Sequence, residues 1–339
     1  MTDIKRILVV TKYRFIGDTL LSIPALRAAS ETWPDAKITL LTGANALQML
    51  QNCPFVHDPI EFDPYRKADK GIPKFLSIVG AVRSRKFDLA LILNRSFHSS
   101  LIATMGGARQ RVGWAGFAGR DFMLTDTCAY RTDDSEVDCY VDIVKRAAEV
   151  TGARWPANEA VETRLWLSDD EVASAREYLA GGTTFIAMQP GASHEYKRWP
   201  VERFAAVADS VASPNTKLVL IGGPGEADDA ARMLALCSPD TRDRTINLTG
   251  SLKLRETAAV LAQVDAFLAN DTGIRHVAMA VDTPTVGMFG PTSAAKWGNA
   301  HPPRHSVLVA PGGSMDEISV SDVRDAVNTA VSQRSKATS

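Results

Sequence analysis

The strongest constraint on this chain is an alternation that occurs twice along it. Short apolar runs, Arg6-Ile-Leu-Val-Val-Thr11, Lys37-Ile-Thr-Leu-Leu-Thr42 and Leu89-Ala-Leu-Ile-Leu93, are separated by helical segments over Asp18–Thr32 and from Phe75 to Arg85. The pattern restarts with Phe185-Ile-Ala-Met-Gln189, Lys217-Leu-Val-Leu-Ile221, Asp265-Ala-Phe-Leu-Ala269 and Thr285-Val-Gly-Met288. Helical runs lie between these near 200–212, 225–236, 254–263 and 273–281. Continuous apolar runs of this length fit strands buried on both faces, which a parallel sheet covered by helices provides. The chain therefore reads as α/β, with two doubly wound domains joined near 151–182. At 339 residues it is about twice the length of a typical domain. The expected divisions are 1–165, 166–318 and a C-terminal piece, 319–339. In that piece Ser319 to Gln333 reads as an amphipathic helix and Arg334 to Ser339 as a frayed polar tail. No short period recurs, which argues against a solenoid.

Composition excludes several classes. A chain 45% hydrophobic and 23% charged is neither disordered nor collagen-like. Cys53, Cys128, Cys139 and Cys237 form no CxxC pair and none has a histidine at zinc-finger spacing, so they read as core or incidental thiols and no metal is expected. The opening MTDIKRILVV is too brief for a signal peptide or a membrane span, and no later apolar run reaches about 18 residues. The expectation is a soluble cytoplasmic protein. Net charge is −1, yet residues 1–126 hold 17 Lys and Arg against 11 Asp and Glu, while the remainder holds 21 against 28. Arg66, Lys67, Lys70 and Lys74 form one basic cluster and Arg83, Arg85 and Lys86 another. Such a stretch suits an anionic partner, and equally a solvated helix face. Nucleic acid is disfavoured, since no aromatic residues interleave the basic ones and no recognised motif accompanies them.

In open α/β sheets, ligands sit outside the carboxyl ends of the strands, so residues there are the candidates. After the first strand comes Lys12-Tyr-Arg-Phe-Ile-Gly-Asp-Thr19. Only Gly17 is present, so the GxGxxG dinucleotide fingerprint is absent and an NAD dehydrogenase is disfavoured. Asp18 at the start of the following helix suits two roles, a helix cap or a carboxylate that takes a proton from an acceptor hydroxyl. Gln189-Pro-Gly-Ala-Ser-His-Glu-Tyr-Lys-Arg-Trp-Pro200 leads from a strand into a helix, with Ser193 and Lys197 of the right types to hold phosphate oxygens. Trp199 reads as packing, and a lone loop histidine such as His194 is a weak catalytic candidate. In Leu268-Ala-Asn-Asp-Thr-Gly-Ile-Arg-His276 a strand turns into a helix whose first N–H groups favour an anion. There Asp271 suits a cap or a sugar hydroxyl, and His276 a ligand contact or core packing. Ile221-Gly-Gly-Pro-Gly-Glu226 admits a nucleotide, with Glu226 available to a ribose diol.

Taken together, these segments resemble the heptosyltransferases, glycosyltransferase family 9, the enzymes of lipopolysaccharide core assembly. The resemblance covers nearly the whole chain. It rests on Gly17-Asp-Thr-Leu-Leu-Ser-Ile-Pro-Ala-Leu26, Arg111-Val-Gly-Trp114, Pro190-Gly-Ala-Ser193 with Lys197-Arg-Trp-Pro200, Asn270-Asp-Thr-Gly273 with His276, and Phe289-Gly-Pro-Thr292. It implies a GT-B fold, two Rossmann-like domains facing across a cleft, with the acceptor on the first and the nucleotide sugar on the second. It implies inverting, metal-independent transfer of heptose from an ADP-activated donor, without a cofactor. Asp18 becomes the general base. Ser193 and Lys197 become diphosphate contacts, Lys197 also stabilising the leaving group; Glu226 becomes the ribose contact, and Asp271, Thr272, Gly273 and His276 the donor-site turn. Gly17, Arg66, Lys67 and Lys70 fit the side of an anionic glycolipid acceptor, Kdo-lipid A or an extended core, with peripheral contact at the cytoplasmic face of the inner membrane. The chain departs from the family at Arg275 within the donor turn, at Ala192, and at Ser135 and Cys139, where a family helix often carries His and Arg. The alternatives are a GT-B transferase with a protein or natural-product acceptor, a nucleotide-sugar 2-epimerase, which needs no acceptor, and a non-catalytic nucleotide-sugar binding module.

Overall fold

A computed structural model describes residues 3–117, 119–156, 163–180, 182–299 and 301–337. The chain divides into two compact units, Met1–Thr163 and Arg164–Ser339. The first holds strands β1 (Arg6–Val10), β2 (Lys37–Thr42), β3 (Asp58–Glu61), β4 (Leu89–Ile92), β5 (Gln110–Trp114) and β6 (Asp126–Cys128). Its sheet runs in the order β3-β2-β1-β4-β5-β6, every pair parallel. The second holds β7 (Thr184–Gln189), β8 (Thr216–Leu220), β9 (Thr245–Asn247), β10 (Ala266–Asn270), β11 (Thr285–Phe289) and β12 (His305–Val309). Its order, β12-β11-β10-β7-β8-β9, repeats the same winding, again all parallel. Both are the doubly wound Rossmann arrangement, whose order reverses beside the first strand, here β1 and β7.

The apolar runs occupy the strands that need them. Central β1 pairs Val9 with Leu40 on one side and Leu91 on the other, and Leu8, Val10, Ala90 and Ile92 are buried among Phe62, Val82, Phe87 and Ile102. In the second unit Ile186 pairs with Ala266 and Leu218, within a core that includes Phe204, Leu268, Met288, Val323 and Val327. Each fully buried Val, Leu, Ile, Phe or Met side chain among these contributes about 1.5–3 kcal/mol.

Three differences from the sequence expectation have local causes. The helix expected over Asp18–Thr32 is two, Ile16–Leu21 and Ile23–Thr32, divided at Ser22. Pro24 lacks the N–H that would continue the ladder, and Ser22 Oγ bonds back to the Thr19 carbonyl at 2.7 Å. Strands β3, β5, β6, β9 and β12 lie outside the expected set. Segments such as Asp58-Pro-Ile-Glu61 and Thr245-Ile-Asn247 have no continuous apolar run, because the outer strands β3 and β9 pair on one side only. Finally, the last helix runs Val320–Ala337, so the tail expected to fray from Arg334 stays helical to Ala337. Arg334 fixes it by donating to the Ala262 carbonyl at 2.6 Å and the Asp282 carbonyl at 3.2 Å. This helix packs on β10, β11, β12 and the helix Val201–Val211.

Candidate active site

In the first unit Asp18 sits in the first turn of Ile16–Leu21, just past the carboxyl end of β1 at the sheet's switch point. Phe15 occupies the N-cap position and no side chain caps the helix. The Asp18 carboxylate instead accepts from Lys12 Nζ and from the Tyr140 hydroxyl, the latter at 3.2 Å, both on Oδ1. Lys12 also donates to Glu136 Oε1 at 3.1 Å, and Tyr130 donates to Glu136 Oε2 at 2.7 Å. The Glu136 side chain is fully buried, while Asp18 and Lys12 keep 12% and 14% of theirs exposed. Burial, with Asp18 and Glu136 adding to it, pushes the Tyr140 phenol well above its ordinary range, so it remains a donor. No short motif ties Glu136 and Tyr140 to Asp18, because they lie more than a hundred residues away. Their one visible signal is i,i+4 spacing, which puts them on one face of the helix Glu136–Thr151.

The other first-unit candidates lie apart from this network. Gly17 is buried within the helix that carries Asp18. Arg66 is committed to Glu61 at 2.7 Å and to Asp69 at 2.8 Å, bracing the turn before the helix Ile72–Ser84, while Lys67 and Lys70 are exposed. Among the described residues no hydrogen bond or ion pair joins these three to Asp18. Arg111 donates to the carbonyls of Met123 and Ala108 at 2.6 Å each, a bracing role, and Trp114 is buried against the Cys139 carbonyl. Ser135 caps its helix by accepting from Val137 N.

In the second unit the candidates converge at the carboxyl ends of β7, β8 and β10, around a residue that the sequence does not single out. Gln189, buried at the end of β7, donates from Nε2 to both Glu226 oxygens at 3.0 and 3.1 Å and accepts from the Thr272 hydroxyl at 2.8 Å. One amide thus ties three loops together. Gly223 N adds a third bond to Glu226, at 2.7 Å. Gly191 must be glycine for this arrangement, since a Cβ there would fall 2.2 Å from Glu226 Oε1. Asn270 does the same for the layer beneath: it accepts from Trp199 N and donates to the carbonyls of Pro190 and Gly191. Trp199 is accordingly core, as its type suggests.

Lys197 closes on Asp271 at 2.7 Å, with both side chains mostly buried. Asp271 is therefore an ion-pair partner, and the N-cap of the helix Gly273–Ala280 is Thr272, whose hydroxyl is turned to Gln189 and caps nothing. Ser193 is exposed, its Oγ 3.0 Å from His194 Nδ1. His276 is buried at 5% exposure; burial, reinforced by Arg275, holds its pKa well below the ordinary imidazole value, so the imidazole is neutral near pH 7. Arg275 is wholly buried, lies 5.3 Å over the Phe289 ring, and donates to the Gly298 carbonyl, while its Nε and Nη1 have no hydrogen-bond partner among the described residues. Among the described residues no group of three or more His, Cys, Asp or Glu is placed to hold a metal ion, and no helix is long and apolar enough to cross a membrane.

Two Rossmann-like units, each with charged side chains fixed past the carboxyl ends of its strands, define the GT-B class of α/β proteins. A solved family 9 glycosyltransferase from Veillonella parvula superposes with a TM-score of 0.85 at 22% identity, covering 98% of this chain and 99% of that one. The structure of Escherichia coli ADP-heptose LPS heptosyltransferase II superposes at 0.80 and 23% identity, covering 97% and 99%. In sequence the chain is 27% identical to lipopolysaccharide heptosyltransferase 2 of Salmonella typhimurium over 291 residues, 82% of this chain and 81% of that protein. The family model for glycosyltransferase family 9 (heptosyltransferase) matches residues 75–322. The chain belongs to this family and is a glycosyltransferase.

Proposed function

We propose that this enzyme moves heptose from an ADP-activated donor to a hydroxyl of a lipopolysaccharide inner-core acceptor, with inversion at the anomeric carbon and without a metal. The names of the matched relatives support the sugar and the acceptor class. The observation that carries the mechanism is Asp18, a carboxylate anchored on Oδ1 by Lys12 and Tyr140, with Oδ2 as the atom that takes the proton. As the acceptor oxygen bonds the anomeric carbon, its proton passes to Asp18. The bond from that carbon to the phosphate oxygen breaks, and its electron pair leaves with ADP. The transition state has oxocarbenium character, as in glycoside hydrolysis.

Charge then grows on the departing diphosphate. Lys197, steadied by Asp271, and the N–H groups at Thr272 and Gly273 stabilise it, with the Ser193 hydroxyl as a further donor. Glu226 takes the ribose diol: a carboxylate offers about four acceptor positions, and the bonds from Gln189 and Gly223 leave room for another. Neutral His276 backs this turn from the core. Family membership favours transfer over epimerisation. On the acceptor side, Ile72 and Leu76 are exposed one helical turn apart beside Lys67, Lys70 and Lys74. That pairing of apolar and basic groups supports peripheral contact with an anionic membrane at its cytoplasmic face.

The test is ADP release from ADP-heptose with and without heptose-deficient Kdo-lipid A, for the wild type and for Asp18→Asn. Acceptor-dependent release that falls at least a hundredfold in Asp18→Asn, with ADP affinity unchanged, is expected. Release without acceptor would argue for another reaction, and an active Asp18→Asn would remove Asp18 as the base.

A further inference from the structure

A carboxylate salt-bridged to lysine is ordinarily a poor base, because the ammonium stabilises its charged form. Asp18 is so bridged by Lys12, yet Lys12 is shared with a second carboxylate, Glu136, which is fully buried. We propose that Lys12 and Glu136 are positioning residues that set the base strength of Asp18, Glu136 drawing the ammonium's charge away at the moment Asp18 takes the acceptor's proton. This rests on the reading of Asp18 as general base.

Two carboxylates and one ammonium carry a net charge of −1 before proton transfer and zero after it. With a neutral group in place of Glu136 the same step would run from zero to +1 in a site that is mostly out of water, where an uncompensated charge is costly. Protonated Asp18 no longer needs Lys12, and Glu136 Oε1, already 3.1 Å from Nζ, remains its partner. The geometry gives Glu136 partners that suit a carboxylate. It opens the helix Glu136–Thr151, where the dipole favours an acid, and it accepts from Tyr130 at 2.7 Å. Tyr140, one turn on, bonds Asp18 from the same helix and fixes the direction of its carboxylate.

The helices Ile23–Thr32 and Ala44–Met49 also pack on the helix of Asp18. The charged residues of the first, Arg27 and Glu31, pair with each other, and the second carries none. Arg95 lies 4.8 Å over the ring of Tyr130, which donates to Glu136.

The test is the pH dependence of kcat/KM for the acceptor at saturating donor, whose acidic limb reports ionisation of the base. Glu136→Gln keeps the shape but removes the charge. It should move that limb about one unit to lower pH and lower the plateau by roughly three- to tenfold, as a weaker base would. Lys12→Met should move the limb the other way, to higher pH, because two carboxylates then face each other. ADP affinity should be unchanged in both. A purely structural role would lower activity and leave the limb where it was; that result in either folded variant, or full activity in both, overturns the proposal. Asp18→Asn separates the two layers. If it is inactive while the limbs of Glu136→Gln and Lys12→Met stay fixed, only this inference fails; if it is active, the base reading fails and takes the inference with it.

Discussion

Replacing Gly191 by alanine is the sharpest perturbation of the nucleotide side. The added Cβ would lie 2.2 Å from Glu226 Oε1 and 2.8 Å from both its Cγ and Cδ, about 1 Å inside ordinary contact. The backbone need not yield, because the obstructing atoms end a flexible side chain; the carboxylate swings away instead. In doing so it gives up two bonds from Gln189 and one from Gly223. Hydrogen bonds to a charged group are worth about 1.5–3 kcal/mol each, but a displaced surface carboxylate is rehydrated, so the fold should lose only about 1–2 kcal/mol. Donor binding loses the diol contact itself, about 2–3 kcal/mol, or roughly 30- to 150-fold in Kd. Titration calorimetry with ADP, beside a thermal melt, reads both quantities. Gly225→Ala is the control, since a Cβ there meets nothing within 4 Å, and it should bind ADP normally. A Gly191→Ala protein that binds ADP within about threefold of wild type would refute the assignment of Glu226 to the ribose.

Three further outcomes follow from the same structure. Arg275→Met should leave the melting temperature unchanged or raise it, because two guanidinium nitrogens are buried without hydrogen-bond partners among the described residues and burial, only partly offset by Asp271, drags the group down to about 10; a melting temperature lowered by several degrees would mean that the Gly298 and Phe289 contacts outweigh that cost. Glu171, bonded by Arg255 and capping its own helix, is held down at about 2 against an ordinary 4.5. It therefore adds stability above pH 4.5 that disappears as pH falls toward 2, about 1–2 kcal/mol after allowing for its partial exposure. Urea titrations at pH 7 and pH 3, where a little over half of that contribution is lost, should show the wild type losing about 1 kcal/mol more than Glu171→Gln, and equal losses would contradict it. EDTA should leave the rate of ADP release unchanged, whereas a rate restored only by added Mg2+ would transfer leaving-group stabilisation from Lys197 to a metal.

The central strands are legible in the sequence because each is buried on both faces and so must be apolar throughout: Arg6–Val10, Lys37–Thr42, Thr184–Gln189 and Ala266–Asn270 are found where their runs predict. Outer strands escape the same reading. Asp58–Glu61 forms by backbone pairing to Thr39–Thr42, and a backbone donates and accepts whatever side chain it carries. The division of one long helix at Ser22 was signalled by Pro24, two residues on, which can begin a helix more readily than continue one.

For the site, strand order supplies what motifs cannot. Asp18, Lys197, Glu226 and Asp271 stand near strand ends, so an open-sheet rule finds them without their partners. What fixes their chemistry comes from elsewhere in the chain. Glu136 reaches Lys12 across 124 residues, and Gln189 reaches Thr272 across 83. Gln189 carries no reactive group, and Glu136, though an acid, stands in no short motif with Asp18, so a search by motif singles out neither. Their importance follows from burial: a fully buried carboxylate and a buried amide each need several partners, and here those partners either would touch substrate, as Glu226 and Thr272 do for Gln189, or hold the group that would, as Lys12 does for Glu136. A buried polar residue beside a strand end is thus a guide to a site in its own right, since the bonds it must make decide which neighbouring side chains can move and which are held.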